Sequence, residues 1–354
     1  MSGNNIITPL APPHEVDVSK IEQELEQLWR EAESSDHPIT RATAFNLVLV
    51  CDRGAEEQAR ELIPELALVH PTRTILVVLN ESAPPAQRAW VTAHCRKLEG
   101  ENRQICSEAI IVEIDGEASL RASSLIHSLS LGSLATAIVW HQSLPLNHSL
   151  LCTLALSSER VITCAAHHLA PASTLKSWLE LYESVPPECV VTDLLWAELS
   201  GWRGAVAELF DECPRWRELR EVRVHSQGDK LTCGALLCGA WIGSTLDWTF
   251  QSVSLLGSRP VIACQQDRRI VFYPDGGSAP TGIEFIFADG GAAAVMRAQN
   301  QFSITCGGHT HAARVRDADM LSLLSHELHA WGRDPRMDKA VRMAHDWLPE
   351  LLFS

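Results

Sequence analysis

"ATAFNLVLVCD" (42–52), "GAEEQARELIPELALVH" (54–70) and "RTILVVLN" (73–80) follow one another closely near the start of the chain. The first and third are dense apolar runs, the pattern of strands buried on both faces. The middle segment spaces its apolar residues as a helix does, with Pro64 expected to kink it or start it afresh. Strand, helix and strand in this order imply a right-handed crossover and a parallel pair. This stretch sets the fold class of the N-terminal part as α/β.

Downstream, "AWVTAHCRKL" (89–98) and "RQICSEAIIVEI" (103–114) alternate as strands, and "EGEN" (99–102) between them suits a hairpin. A helix at 117–131, the strand "TAIVWHQ" (136–142), a helix near 147–157 and the strand "RVITC" (160–164) continue the layer. The expected sheet is mostly parallel with one antiparallel hairpin. Upstream, residues 1–17 hold three prolines and no period, so a loose arm is expected there. "DVSKIEQELEQLWREAE" (17–33) reads as a polar helix with a narrow stripe of Ile21, Leu25 and Leu28, either peripheral or a docking element.

From Pro171 the pattern turns helical. "STLKSWLELYESV" (173–185) places Leu175, Trp178, Leu179 and Tyr182 on one face, and "TDLLWAELSGWR" (192–203) follows. Strands are expected at "EVRVHS" (221–226), "RPVIACQQDRRIVFY" (259–273), "GIEFIFAD" (282–289), "AAAVMRAQ" (292–299) and "QFSITC" (301–306), with "QQDRR" and "ADGGA" as tight antiparallel connections. Helices near 231–247, 317–330 and 336–349 would cover one face of that sheet. The expected organisation is an arm and helix at 1–35, an α/β domain at 36–168 and an α+β domain with an antiparallel sheet at 169–354.

The 354 residues suit about two domains. A net charge of −15 disfavours nucleic acid and anionic membranes as partners, since phosphate contacts need clustered Lys and Arg. The apolar run "LTCGALLCGAWI" (231–242) is too short to span a bilayer. The first residues lack a basic start followed by an apolar block, so no secretory signal is expected and the expected location is cytoplasmic. Eleven cysteines contain no C-x-x-C. They are expected to be reduced and mostly buried, with redox sensitivity of one exposed thiol as the sharper alternative.

Candidate chemistry is sparse. "CGGHTH" (306–311) and "HELHAW" (326–331) could pair His309 with His311 and His326 with His329, but "HELH" is not the H-E-x-x-H of zinc proteases. The adjacent pair His167–His168 is weaker. The turn after the first strand, "CDRGAEEQ", has one glycine where a dinucleotide fold needs G-x-G-x-x-G. There is no G-x-S-x-G elbow. No catalytic residue, metal or cofactor is therefore expected.

In "TDLLWAELSGWR", Asp193 can cap a short helix holding Trp196, and Ser200 can cap the next. Trp202 and Arg203 at that helix start are either packed inside or presented to a partner, since Trp and Arg are enriched at interface hot spots. With its neighbours this stretch resembles the OpcA family, the glucose-6-phosphate dehydrogenase assembly proteins of bacteria. "TRATAFNLVLVCD" (40–52), "HPTRTILVV" (70–78), "RQICSEAIIVEIDGEA" (103–118), "TDLLWAELSGWRGAVAELFD" (192–211), "ALLCGAWIGSTLDW" (235–248) and "LHAWGRDPRMDKAV" (328–341) carry the resemblance in order. It implies a non-catalytic protein that binds glucose-6-phosphate dehydrogenase and favours its active oligomer. On the matching positions Asp193, Trp196, Trp202 and Arg203 are the expected partner contact or the frame that holds it. The alternative is a small-molecule sensor or enzyme using the crevice of the α/β domain.

Overall fold

The computed structural model describes residues 7–33, 39–97, 104–141, 143–164, 172–226, 231–274, 280–298, 301–314 and 319–353. In chain order the first elements are β1 (Ile7–Val16), α1 (Ile21–Glu33), β2 (Ile39–Arg41), β3 (Phe45–Asp52), α2 (Glu56–Val69), β4 (Thr72–Asn80), β5 (Ala86–Lys97), β6 (Gln104–Asp115), α3 (Ala122–Leu129), β7 (Thr136–Trp140), α4 (Ser149–Ala155) and β8 (Arg160–Thr163). Next come α5 (Ala172–Ser184), β9 (Val190–Asp193), α6 (Leu194–Glu198), α7 (Ser200–Glu212), β10 (Leu219–Ser226) and α8 (Cys233–Thr245). β11 (Phe250–Leu256), β12 (Arg259–Cys264), β13 (Arg268–Pro274), β14 (Pro280–Phe287), β15 (Ala292–Ala298), β16 (Gln301–Cys306) and β17 (His309–Arg314) precede α9 (Met320–His329) and α10 (Pro335–Phe353). The chain divides into two compact units. One comprises Met1–Cys164, Val185–Thr192 and Met320–Trp331, and the other comprises Ala165–Ser184, Asp193–Asp319 and Gly332–Ser354.

The sheet of the first unit runs β1-β5-β6-β4-β3-β7-β8-β9, with β2 beside β6. β3 is parallel to β4 on one side and to β7 on the other. β5 and β6 form the expected antiparallel hairpin, while the connection "EGEN" lies outside the described residues. Leu47, Val48, Ile75, Leu76 and Ile110 are sealed from solvent, which accounts for the unbroken apolar runs.

Several expectations are corrected here. Residues 7–16 are not a loose arm but the edge strand β1, antiparallel to β5 with two register shifts. Its prolines fit because an edge strand needs no ladder N–H on its outer side. Pro64 does not restart α2, which runs through it as one helix. Burial of Ala59, Ile63 and Leu66 against the sheet offsets the one lost hydrogen bond. α9 belongs to the first unit rather than covering the second sheet. Leu324 and Leu328 are buried there, Glu327 pairs with buried Arg160, and Ser325 bonds His70 at 3.0 Å. Four of the eleven cysteines are paired rather than reduced, as Cys95–Cys106 and Cys213–Cys306. Cys95 and Cys106 face each other across the hairpin, an adjacency set by register and invisible as a spacing motif. Of the free thiols only Cys152 is exposed, and burial pushes Cys51, Cys233 and Cys238 up to about 12.

A buried charge network ties α1 to this sheet. Glu108 on β6 is 1% exposed and Arg73 on β4 is 2% exposed. The Glu108 carboxylate accepts Arg73 Nε–H at 2.5 Å, Trp29 Nε1–H at 2.9 Å and Arg41 Nη2–H at 3.0 Å. Arg73 Nη1–H also donates to Glu22 Oε1 at 2.7 Å and to the Leu129 carbonyl at 2.8 Å. Burial alone would raise the Glu108 carboxyl, but the charge and hydrogen bonds of Arg73 outweigh it and hold it below its ordinary value.

The second unit's sheet runs β11-β12-β13-β10-β14-β15-β16-β17. It is antiparallel as expected except for one parallel pair, β10 with β13. The tight connections hold Gln266 and Asp267 at φ 63° and 55°, and Gly290 at φ 84°. α8 is buried on every side from Cys233 to Ser244. A methyl at Gly239 would lie 2.9 Å from the Phe272 ring, and one at Gly243 2.7 Å from Met343 Sδ. Those two glycines let α8 approach β13 and α10 closely.

Glu108→Gln should cost about 3–5 kcal/mol in urea unfolding, because it leaves buried Arg73 with only the half-exposed Glu22 as counter-charge; a loss under about 1 kcal/mol would refute the network's role. Burial lowers His70, His94 and His141, with His329 adding to the effect at His70. Their folded values lie below the unfolded one, so their stabilisation is present above about pH 6.5 and is lost as pH falls through the folded values. Melting temperature should therefore drop between neutral pH and about pH 5, and His70→Asn should flatten that slope.

Candidate functional site

The stretch Thr192–Arg203 folds as expected at its start. Asp193 Oδ1 caps α6 by accepting Leu195 N–H at 3.0 Å. Ser200, by contrast, does not cap α7. The cap position is Leu199, in helical conformation and without a side-chain bond, so α6 runs almost directly into α7. Leu199 N–H bonds the Leu195 carbonyl at 2.9 Å, which closes the junction with backbone alone.

Trp196 and Trp202 are each 3% exposed, as is Asp193. Trp202 packs edge-on against Phe302 of β16 at 4.7 Å between centroids. Arg203 is half-buried, lies over the Trp196 ring at 3.9 Å and donates to the Trp196 carbonyl at 2.8 Å. The structure thus places all four predicted site residues in one packed region, facing inward rather than outward.

The residue that sequence reading missed is Asp334. Trp196 Nε1–H donates to its Oδ2 at 3.0 Å, and its Oδ1 accepts Arg336 N–H at 2.9 Å. Asp334 thereby fixes the start of α10 on the Trp196 ring. The resembling segments "TDLLWAELSGWR" and "GRDPR" meet here although far apart in the chain. Nothing in either segment alone indicates the other as its partner. Tyr182 on α5 adds a bond to Asp338 and lies under Arg333 at 5.8 Å. Burial, then the bond to Asp338, push the Tyr182 hydroxyl up to about 12, so it stays a donor.

Around this knot the surface is basic. Arg333, Arg336, Lys339 and Arg342 are exposed, and no carboxylate among the described residues pairs with them. Three of them lie on the first turns of α10, the positive end of its dipole, where cations cost rather than stabilise. A chain of net charge −15 keeps them there, so helix stability does not explain the placement.

The crevice of the α/β unit lies where β4 and β7 flank β3. Its phosphate position is filled by the chain itself: Asp52 Oδ1 accepts Ala55 N–H at 3.0 Å. Glu56 and Glu57 follow in the first turn of α2. Arg53 is held by Glu56 and Glu113, at 2.9 and 2.8 Å. His141 bonds Ser143 at 3.0 Å, and burial lowers its imidazole. These carboxylates repel an anionic ligand at the point where a nucleotide fold attracts one. Among the described residues no group of three or more His, Cys, Asp or Glu could hold a metal ion. His309 is exposed and His311 pairs with Glu208 at 3.0 Å, while His167–His168 lies outside the described residues.

Comparison with known proteins fits both halves of the chain. A family model described as the glucose-6-phosphate dehydrogenase subunit N-terminal domain, of OpcA, matches residues 64–180. Its C-terminal counterpart matches residues 189–341. An OpcA of Synechocystis sp., described as an OxPP cycle protein, is 25% identical over 194 residues, which are 53% of this chain and 40% of that protein. Among solved structures, a dehydrogenase from Chromobacterium violaceum aligns at 12% identity and TM-score 0.47 over 87% of this chain and 95% of its own. Glucose-6-phosphate 1-dehydrogenase from Mycobacterium avium aligns at 9% identity and TM-score 0.47, over 89% and 92%. At these values the structural likeness says nothing of chemistry. No described helix is long and apolar enough to cross a membrane. With residues 64–180 and 189–341 matched in order by the family's two models, the chain belongs to the OpcA family of glucose-6-phosphate dehydrogenase assembly proteins.

Proposed function

We propose that this chain binds glucose-6-phosphate dehydrogenase and promotes its active oligomer, without catalysing a reaction itself. The observation that carries this reading is membership of the OpcA family across both halves. The chemistry of the chain agrees with it: a crevice closed to anions by Asp52, and a basic surface held on a buried frame. In this reading Asp193, Trp196, Trp202 and Arg203 are positioning residues. They hold the start of α10, and Arg333, Arg336 and Lys339 meet an acidic surface of the enzyme.

The mechanism is linkage. A protein that binds one oligomer of an enzyme more tightly than another shifts the equilibrium by the difference in binding free energy. A preference of about 3 kcal/mol moves the ratio by on the order of a hundredfold. No contact with the enzyme's substrates is required.

The test titrates this protein into glucose-6-phosphate dehydrogenase from the same source, following rate and, by light scattering, mass. A saturable rise in rate together with a heavier complex is expected. No complex and no change in rate, with both proteins folded, would sink the reading. Arg336→Glu should leave stability within about 0.5 kcal/mol and raise the concentration needed for half-maximal activation. Trp196→Phe, which loses the bond to Asp334, should cost about 1–2 kcal/mol and weaken activation as well. Activation untouched by Arg336→Glu at low salt, where surface charges act most strongly, would remove the basic surface from the proposal.

A further inference from the structure

The start of α10 reads "RDPRMDKAVR" (333–342), with two carboxylates, Asp334 and Asp338, set among Arg333, Arg336, Lys339 and Arg342. Left to itself such a segment pairs its own charges. Asp338 stands four residues before Arg342, the spacing and order in which an acid and a base on a helix pair best. Among the described residues, however, neither carboxylate forms an ion pair with any of these cations. Both are held by neutral donors instead. Trp196 Nε1–H donates to Asp334 Oδ2 at 3.0 Å, and Tyr182 O–H donates to Asp338 Oδ1.

The cations are close enough to compete for Asp338. Arg333 lies over the Tyr182 ring at 5.8 Å. Burial, then the bond to Asp338, raise the Tyr182 hydroxyl, while Arg333 and Arg342 act in the opposite sense, so both guanidinium groups reach it with their field. The hydroxyl keeps the carboxylate for a physical reason. Tyr182 and Asp338 are both half-buried, and an O–H bond to a carboxylate there outweighs an exposed ion pair one helical turn long. Asp346, four residues beyond Arg342, stands in the reverse and weaker order.

We propose that Tyr182 is a positioning residue of the partner surface: its neutral donor restrains Asp338 and so leaves Arg342 free for an acidic group of the partner. The inference rests on the reading of the start of α10 as the surface that meets glucose-6-phosphate dehydrogenase. Tyr182 does for Asp338 what Trp196 does for Asp334. In both cases an aromatic donor occupies the carboxylate without adding a charge of its own, and the cations beside it stay exposed. Without the hydroxyl, the Asp338 carboxylate is left one turn from Arg342 and closes on it. An acidic partner must then displace that carboxylate before it can bind.

The test is Tyr182→Phe in the full chain, which keeps the ring under Arg333 and removes only the hydroxyl. At low salt it should raise the concentration needed for half-maximal activation of the dehydrogenase by about two- to fivefold, the worth of one exposed ion pair. Adding Asp338→Asn removes the competing carboxylate and should restore the wild-type value. A residue that merely held α10 in place would show no such recovery, because the double variant still lacks the phenol hydroxyl. Nitrogen NMR of the Arg342 Nε–H gives a readout that needs no enzyme. That signal should move in Tyr182→Phe and return in the double variant. An Arg342 signal that Tyr182→Phe leaves in place would overturn the proposal, as would a loss of activation that Asp338→Asn fails to rescue. Activation weakened by Arg336→Glu but not by Tyr182→Phe would overturn it as well, and would leave the basic surface standing. No complex with the wild type would overturn the reading of that surface, and the proposal with it.

Discussion

A carboxylate sealed in a protein interior must be given cations and donors, and Glu108 is where the first unit meets that demand. Its partners come from α1, β2 and β4, and Arg73 reaches on to Glu22 and to the end of α3. A buried ion pair of this kind adds little net stability over an apolar core, because desolvation cancels most of the attraction. Its effect is on register. Shifting β6 by one residue would turn Glu108 to the opposite face and take from Arg73 its buried counter-charge. Because β6 pairs with β2, β4 and β5, that constraint fixes the hairpin and both its neighbours at once. It also fixes α1, whose Trp29 closes on Cys95 and Cys106 beneath it.

The second unit is held differently. Its centre is α8, apolar all round, wedged against β10, β13 and α10 where two glycines remove the side chains that would keep them apart. Charge in this unit sits on the other face of the sheet. Glu221 lies between Arg223 and Arg269, and Glu284 pairs with Arg223 at 3.3 Å. Buried Glu221 is neutralised there by two partly exposed arginines.

Most of the architecture was legible because apolar periodicity reports burial, and burial is what the sheet and helix faces share. The runs at β3, β4 and β6 and the turns at "QQDRR" and "ADGGA" belong to this class. What stayed hidden depends on adjacency across the chain. Proline argued against a strand at residues 7–16, and only the presence of β5 beside it makes an edge strand possible. α9 has the period of any amphipathic helix. Its membership of the first unit follows from Arg160 finding Glu327, a pairing with 166 residues between its partners. Cys95 and Cys106 likewise meet through hairpin register alone.

The same distinction governs the functional residues. Trp196, Trp202 and Arg203 drew attention because such residues dominate interfaces. In the fold they are buried, and what they touch is Asp334, Phe302 and each other. A short segment rich in tryptophan therefore identifies a frame, since large rings that must be placed accurately leave the strongest mark on a sequence. A partner can touch only what is exposed, and exposed residues leave little local pattern. Under the proposed function they are Arg333, Arg336 and Lys339, which are exposed and stand above the frame. Their meaning comes from position: beside Asp334, at the helix end that disfavours positive charge, on a chain that is otherwise acidic.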